Sequence, residues 1–557
     1  MHNQHLFIDT TNFESAFKDR LIAGLESLDS SIDGHLIHSD NFQAINFVHQ
    51  KYSRSIDCIY IDPPYNTAAS PILYKNGYKS SSWMSLMNDR LAASNILLRN
   101  DGVLVAAIDD VQQREFSVLI ENNISGGVLG TICVRSNPSG RPTKTGYAVS
   151  HEYLIFAAAG EDSAIGRLPL TDDQLARFNQ KDATGFFEWR NLRREGSNSD
   201  RTARRALFYP IYIGDQSIRV PKMEWNDINE SWVVLEEPSE AEKVVLPIND
   251  DGLEKTWRWE GSTVMTSLSR LAVRKDRSGN DYVYYKRRPN EGGAVSVSSW
   301  MDAKYSATEH GTSVLKALFG KSPFDYPKSI HAVMDAIYIS GAYKNNSRIF
   351  DYFGGSGTTA HATIKLNRRD GGARKYVLAE MGTHIDSVLI PRIKKVIYSN
   401  AWNAGKPLSR ENGISHCLKI LRLESFEDTL NNLILPDQSL LGEKASKENQ
   451  GIIRDYTLRY WLDFETANSP SLLNVKEFAD PTAYKLKIKQ PGSDVQVEKA
   501  VDLVETFNWL IGLHVALLDR PRRYAIDLQR VPDPDLPDDQ QTRWHAASIK
   551  EIGRAHV

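Results

Sequence analysis

Short apolar runs ending in Asp, Asn or Gly recur in two separated blocks of the chain, and this pattern limits the possible folds more than any other feature. In the first block His35–His38, Asp57–Ile61 and Val103–Ile108 are four to six residues long, with turn-rich flanks that favour strands over helices. Between the last two, Trp83, Met84, Met87, Leu91, Ile96 and Leu97 recur at helical spacing over Trp83–Leu98. Tyr153–Ala158 is a further strand candidate. The second block has a strand at Arg348–Phe353, a Gly-rich turn, a helix over Thr358–Leu366 and a strand at Lys375–Glu380. Strands alternating with helices predict an α/β fold with a doubly wound, largely parallel Rossmann-like sheet.

The texture changes twice outside these blocks. Residues 161–299 are rich in Trp, Arg and Asn, with short strand-like pieces at Ile218–Val220, Trp232–Leu235 and Tyr282–Lys286. They predict an inserted α+β domain between a first half, 1–160, and a second half, 300–405. A C-terminal α+β region, 406–550, follows. In it Leu423, Phe426, Leu430 and Leu433 mark one helix face, and Val501–Leu513 is an apolar stripe suited to core packing or to a subunit contact. Val531–Gln541 is a Pro/Asp loop. Residues 551–557 match a translated sequencing-library adapter and are set aside as a scar.

Composition narrows the function. The 557 residues carry 67 Lys+Arg against 70 Asp+Glu, a net charge of -3. A nucleic-acid partner must therefore be met by local basic patches and not by bulk charge. Cys58, Cys133 and Cys417 are too few and too scattered for a disulfide framework or a cysteine metal site. No metal is expected. No apolar run reaches the roughly 18 residues of a membrane span, and Met1–Thr10 lacks a signal-peptide core, so the expectation is a cytoplasmic protein without membrane contact.

Two constellations carry chemistry. Asp62-Pro63-Pro64-Tyr65 follows a buried strand directly, which places it at the carboxyl edge of a parallel sheet, where such sheets bind ligands. Two prolines fix φ and remove two N–H donors, so the backbone is stiff and its carbonyls can face a ligand. A carboxylate beside a rigid carbonyl offers two acceptors to one planar amino group, and an adjacent aromatic ring can stack on its carrier. An ordinary Asp-Pro-Pro turn is the competing reading. The second constellation, Asp351 to Ala360, again follows a strand. Gly355-x-Gly357-x-x-Ala360 permits a tight turn and close ligand approach, and Glu380, twenty residues on, is suited to ribose hydroxyls. An NAD-dependent oxidoreductase fits this spacing, as does any adenosine cofactor gripped through its ribose. So does a Gly-rich turn without a ligand. No Lys follows in the Walker arrangement.

Taken together, the two constellations resemble the amino-group DNA methyltransferases that use S-adenosylmethionine. DPPY is the catalytic tetrapeptide of that family, and Phe353-x-Gly355-x-Gly357 is its cofactor loop. The catalytic motif comes first, with an insert between, which is the circularly permuted order of the β class. The chain is most similar to the modification subunit of Type III restriction-modification systems, through Asp62–Thr67, Leu104–Asp110, Asp351–Ala362, Pro391–Ser399, Leu423–Leu433 and Val501–Leu513. Ala68 stands where the family usually has Gly, and Gly354 where Ala is common.

The resemblance implies a site-specific DNA adenine-N6 methyltransferase. Asp62 and the Pro63 carbonyl would accept the adenine amino hydrogens, with Pro64 stiffening the motif and Tyr65 stacking on the extruded base. Phe353, Gly355, Gly357 and Glu380 would line the cofactor, and Asp351 would meet its ammonium. Asp40 would lie near its adenine, and Lys328, in Tyr326-Pro327-Lys328, would face the methionine carboxylate; an exposed ion-pairing lysine is the alternative there.

Double-stranded DNA is the implied partner, with 161–299 as the target-reading domain. Arg190, Arg193, Arg194, Arg201, Arg204 and Arg205, with a second cluster at Arg274, Lys275, Arg277, Lys286, Arg287 and Arg288, suit phosphate neutralisation or guanine reading. Solvated faces with internal ion pairs are the alternative. A homodimer and a separate restriction subunit with an ATP-dependent helicase and nuclease are implied. Cytosine-N4 methylation and an orphan methyltransferase remain open; Asp62 in place of Ser leans toward adenine.

Overall fold

The strand-like runs become strands because they are apolar on both faces, as strands covered on both sides must be. In the computed structural model all six residues of Ile56–Ile61 are buried, as are the last seven of Leu98–Ile108. The structure describes residues 6–66, 79–142, 146–196, 198–215, 217–275, 279–290, 292–432, 483–489, 495–537 and 542–554. They divide into two compact units, Met1–Gly166 with Ser296–Val557, and Arg167–Val295.

The first unit is built on a nine-stranded sheet. Its elements are β1 (Gly34–His38), α1 (Asn41–Tyr52), β2 (Ile56–Ile61), α2 (Lys79–Asn95), β3 (Leu98–Ile108), α3 (Gln113–Asn123), β4 (Val128–Val134), β5 (Glu152–Ala158), β6 (Ser299–Trp300), α4 (Ile330–Ile337), β7 (Arg348–Asp351), α5 (Thr358–Asp370), β8 (Lys375–Glu380), α6 (Ile390–Tyr398), β9 (Leu418–Arg422) and α7 (Leu503–Leu510). The strand order is β6-β4-β5-β3-β2-β7-β8-β1-β9. From β3 to β9 every neighbouring pair is parallel. The sheet is nevertheless mixed, because β5 runs antiparallel to both β3 and β4.

That one reversal matters. In register, Tyr153 of β5 faces Ile108 at the carboxyl end of β3, so the amino end of β5 lies along the edge where the parallel strands finish. Four consecutive parallel strands, β2, β7, β8 and β1, end on that edge, and the segments that follow them begin with Asp62, Tyr352, Met381 and Ser39.

The residues expected as a separate C-terminal domain join this unit. β9, which the apolar pattern did not single out, extends the main sheet beside β1. Trp509 of α7 is fully buried, stacked on Phe47 at 5.1 Å and edge-on to His35 and Tyr52. Of the helix face expected from Leu423 to Leu433, Leu423 packs on the core ahead of a short helix at Phe426–Asn431, Phe426 is exposed, and Leu433 lies outside the described residues. In the Val501–Leu513 stripe Trp509 is the core residue, while Val504, Phe507 and Leu510 are exposed. Arg522–Pro532 and Thr542–Arg554 form a long antiparallel pair that takes in Glu551–Arg554 of the adapter-like segment. Among the described residues no helix is long and apolar enough to cross a membrane.

The second unit is mostly β. A four-stranded sheet orders Leu271–Lys275, Asp281–Arg287, Gly185–Asn191 and Gln180–Asp182, and a three-stranded one orders Ile218–Arg219, Ile211–Ile213 and Lys243–Val245. Its core gathers Leu192, Tyr209, Ile211, Trp257, Val264 and Val283.

Candidate active site

The apolar strand β2 delivers the tetrapeptide to the sheet edge, and the two prolines end the ladder there. Pro63 is buried, and the Pro64 carbonyl accepts the indole N–H of Trp83 on α2 at 2.8 Å. The indole thus occupies the second proline's carbonyl and not that of Pro63. Asn66 closes the motif at φ 57°, a left-handed conformation that Asn tolerates better than most residues. Thr67 and Ala68, the rest of the expected motif, lie outside the described residues.

β7, the immediate neighbour of β2, pairs Ile349 with Cys58 and Phe350 with Ile59. The second constellation therefore starts beside the first. Gly355 and Gly357 both have positive φ, 50° and 80°, which glycine adopts without strain. A Cβ at Gly355 would touch the Phe324 ring at 3.6 Å, an ordinary contact, while at Gly357 it would come within 3.2 Å of Leu389. Gly354, where the family often has Ala, sits 3.2 Å from the Ala379 carbonyl measured from an added Cβ. The loop opens the 13-residue α5, whose first N–H groups and dipole point back at it.

Carboxylates hold this loop. Glu380 Oε2 accepts the Gly355 amide and Oε1 the Gly382 amide, each at 2.7 Å. Burial opposes its ionisation, but His384 and these two amides outweigh burial and hold Glu380 below the usual carboxylate range. Asp351 is buried and accepts the Phe353 amide at 2.9 Å and the Thr359 hydroxyl at 2.6 Å. Burial raises its pKa to about 7 against those two bonds, and the charges of Asp62 and Glu380 push the same way. Asp351 thus anchors the loop to α5 through both oxygens. Asp40, at the end of β1, caps α1 by accepting the Phe42 amide at 2.8 Å and pairs with Arg90 at 3.3 Å. Phe353 packs against the same core as Tyr65.

Lys328 precedes α4 in a loop pressed against Gly311, where an added Cβ would lie 2.4 Å from the Pro327 carbonyl. Its ammonium is neither exposed nor alone. Nζ lies 3.0 Å from Asp62 Oδ1 and 3.0 Å from Glu152 Oε2, donates to the Tyr65 hydroxyl, and sits 4.3 Å over that ring. Burial opposes its charge, but Asp62 and Glu152 overcome this and raise its pKa. Asp62 is pushed up by burial, against the pull of Lys328 and with a further push from Glu152. The Tyr65 hydroxyl donates to Glu152 at 3.1 Å, and burial keeps the phenol protonated. Glu152 was missed because the apolar run starts one residue later. Only the reversed direction of β5, which composition does not reveal, brings it here.

The second unit sorts the arginines expected at DNA. Glu188 takes both Arg190 at 3.1 Å and Arg287 at 3.2 Å; Asp182 takes Arg288 at 2.7 Å and Lys286 at 2.8 Å. Arg201 pairs with Glu254 at 2.9 Å, Arg205 with Glu230 and Lys275 with Asp281 at 2.6 Å. Arg193 is buried and donates to the Ile248 carbonyl at 2.6 Å. Arg274 lies over Trp189 at 5.3 Å, and Arg277 is outside the described residues. Arg194 and Arg204 differ. Burial lowers the pKa of Arg194, and the charges of Arg204 and Arg258 lower it further. Among the described residues no carboxylate lies within ion-pair distance of these three, and the buried Arg258 Nε has no hydrogen-bond partner.

Comparison with known proteins agrees with this arrangement. A family profile described as DNA methylase, of the N6/N4 type, matches residues 56–390. The Type II methyltransferase M.KpnI of Klebsiella pneumoniae is 30% identical over 371 residues, 64% of this chain and 83% of that protein. The Type III EcoPI Mod subunit of Escherichia phage P1 is 26% identical over 380 residues, 61% of this chain and 56% of the subunit. The probable Type III HindVI Mod subunit of Haemophilus influenzae is 21% identical over 486 residues, 80% and 59% of the two. The chain therefore spans little more than half the length of these Mod subunits. With a rigid DPPY turn and a glycine loop on neighbouring strand ends, and a profile running through both, the chain belongs to the N6/N4 DNA methylase family.

Proposed function

We propose that the chain transfers a methyl group from S-adenosylmethionine to N6 of an adenine flipped out of duplex DNA, as the modification subunit of a Type III restriction-modification system. One observation carries this reading: Asp62 and the Asp351–Gly357 loop leave adjacent parallel strands, paired Cys58 to Ile349 and Ile59 to Phe350, at one edge of the sheet. An amine acceptor and a cofactor cradle at adjoining strand ends give a methyl group a short path. The catalytic half is 1–160, the target-reading insert 161–299 and the cofactor half 300–405, in the permuted order of the β class. The Type III Mod relatives and Asp62 in the first DPPY position support adenine over cytosine.

The chain's own groups suit the cofactor. The left-handed glycine turn, the Phe353 ring, Glu380 and the N-terminus of α5 offer close backbone approach, an apolar wall, an acceptor and donors. S-adenosylmethionine supplies a methyl group activated as a sulfonium. Everything else falls to the protein. The adenine amine is a weak nucleophile because its lone pair is delocalised into the ring. Asp62 and the Pro63 carbonyl, by accepting both amine hydrogens, favour a pyramidal nitrogen with its lone pair free. Trp83 holds the Pro64 carbonyl, so the acceptors keep their spacing, and preorganised acceptors of this kind lower the barrier without moving during the reaction. Flipping costs a few kcal/mol, which Tyr65 stacking and the pocket's hydrogen bonds offset.

A homodimer and a restriction subunit carrying an ATP-dependent helicase and nuclease are part of the same reading. The test is single-molecule sequencing of DNA from cells expressing the chain, which reports base, atom and sequence context together. Methyl-adenine at one motif is expected; N4-methylcytosine or unmodified DNA would overturn the reading.

A further inference from the structure

Glu152 has no part in the mechanism above, yet its carboxylate is committed to the pocket. Oε2 receives the Tyr65 hydroxyl at 3.1 Å and the Lys328 ammonium at 3.0 Å, and Glu152 is only 9% exposed. The same ammonium reaches Asp62 Oδ1 at 3.0 Å. An ammonium has three donors, and here Asp62, Glu152 and Tyr65 use all three. Resting on the proposed function, this sets up a competition: the carboxylate that must accept the adenine amine already holds a cation through Oδ1.

We infer that Glu152 is a positioning residue for base capture, holding Lys328 and Tyr65 so that Asp62 can give up the ammonium when the base arrives. With Glu152 present, Lys328 loses one of three partners and keeps a full counter-charge 3.0 Å away. Without that charge, Asp62 is the only anion in contact with the ammonium among the described residues. Releasing it would then leave two buried charges unpaired, which is strongly unfavourable. The base amine, a neutral donor, cannot replace what the lysine loses. Glu152 also fixes the ring that stacks on the base. β5 can place a carboxylate here because it runs against its neighbours and starts at the edge where they end.

The test is a double-mutant cycle on the full-length protein, read by the fluorescence rise of a duplex carrying 2-aminopurine beside the target adenine, so that the flipped base keeps its N6 amine. Glu152→Gln is expected to weaken base capture about tenfold, with S-adenosylmethionine binding and thermal unfolding close to wild type, and Glu152→Asp to restore most of it. In a Lys328→Gln background the same Glu152→Gln change is expected to cost less than about twofold, because the cation it manages is gone. Unimpaired capture by Glu152→Gln would overturn the inference, as would an equal loss in both backgrounds, which marks a structural role independent of Lys328. A wild-type protein that methylates while Glu152→Gln behaves identically sinks this inference alone; a wild-type protein that methylates no duplex sinks the proposed function with it.

Discussion

The indole N–H of Trp83 donates to the Pro64 carbonyl at 2.8 Å, tying the second turn of α2 to the turn that follows β2. Trp83 is fully buried and meets Phe116 edge-on at 5.1 Å. Trp83→Phe keeps most of the apolar contact but strands a carbonyl inside the protein. The expected cost is about 1–3 kcal/mol of stability. Methyl transfer should fall on the order of tenfold through a loosened turn. Calorimetry and single-turnover kinetics check the two effects; a destabilised variant with an unchanged rate would confine Trp83 to packing.

Asp62→Ala should abolish methyl transfer while donor affinity stays within roughly an order of magnitude, because the carboxylate is assigned to the base and not to the cofactor. Equilibrium dialysis with labelled S-adenosylmethionine measures the second quantity. Equal loss of both, in a protein with a wild-type melting profile, would contradict the assignment.

Asp351 couples folding to pH. Its pKa is raised to about 7, above the roughly 3.9 of an unfolded aspartate, so between these values the folded state holds a proton that the unfolded state has lost. Stability from this group is fully present below the unfolded pKa and declines as pH rises toward 7, by at most about 1.4 kcal/mol per pH unit. Asp351→Asn should flatten that decline. Urea titrations at pH 5, 6 and 7 reveal it as a difference in slope between variant and wild type, and parallel slopes would show that Asp351 is ionised throughout.

Arg204 and Arg258 lie near enough to Arg194 to lower its pKa, and among the described residues none of the three has a carboxylate in ion-pair reach, whereas Arg288 is satisfied by Asp182. Arg258→Ala and Arg204→Ala should each weaken duplex binding across all sequences and reduce the salt slope by about one. Arg288→Ala should do much less. Anisotropy with a labelled duplex at several salt concentrations separates them, and equal losses from Arg258 and Arg288 would show that pairing does not sort these residues.

Much of this was legible in the amino-acid pattern, and the misses share a cause. Asp57–Ile61 and Lys375–Glu380 were found because strands covered on both faces are continuously apolar. Asp62, Gly355 and Glu380 stood out because each belongs to a turn pattern at the end of a strand. The structure puts the first two after adjacent strands and bonds Glu380 to the Gly355 amide. Strand direction leaves no trace in composition, so the reversed β5, and with it Glu152, stayed hidden. β9 (LKILR) alternates too weakly with charge to stand out, and its place beside β1 depends on long-range pairing. Side-chain partners were equally invisible: Lys328 was expected on the cofactor carboxylate and in this structure lies between Asp62 and Glu152, and Asp40 is engaged in capping α1.

The pairing of β2 with β7 joins residues separated by some two hundred and ninety positions, and this sets the order in which the molecule can mature. β2 and β3 can pair early through a short connection, but closing so long a loop costs entropy before any contact compensates for it. A nascent chain that has made Asp62 but not Arg348 therefore has the Asp-Pro-Pro-Tyr turn without the neighbouring strand that brings the glycine loop beside it. On the proposed function, competence arrives only when the segment from Arg348 docks against a strand made some two hundred and ninety residues earlier.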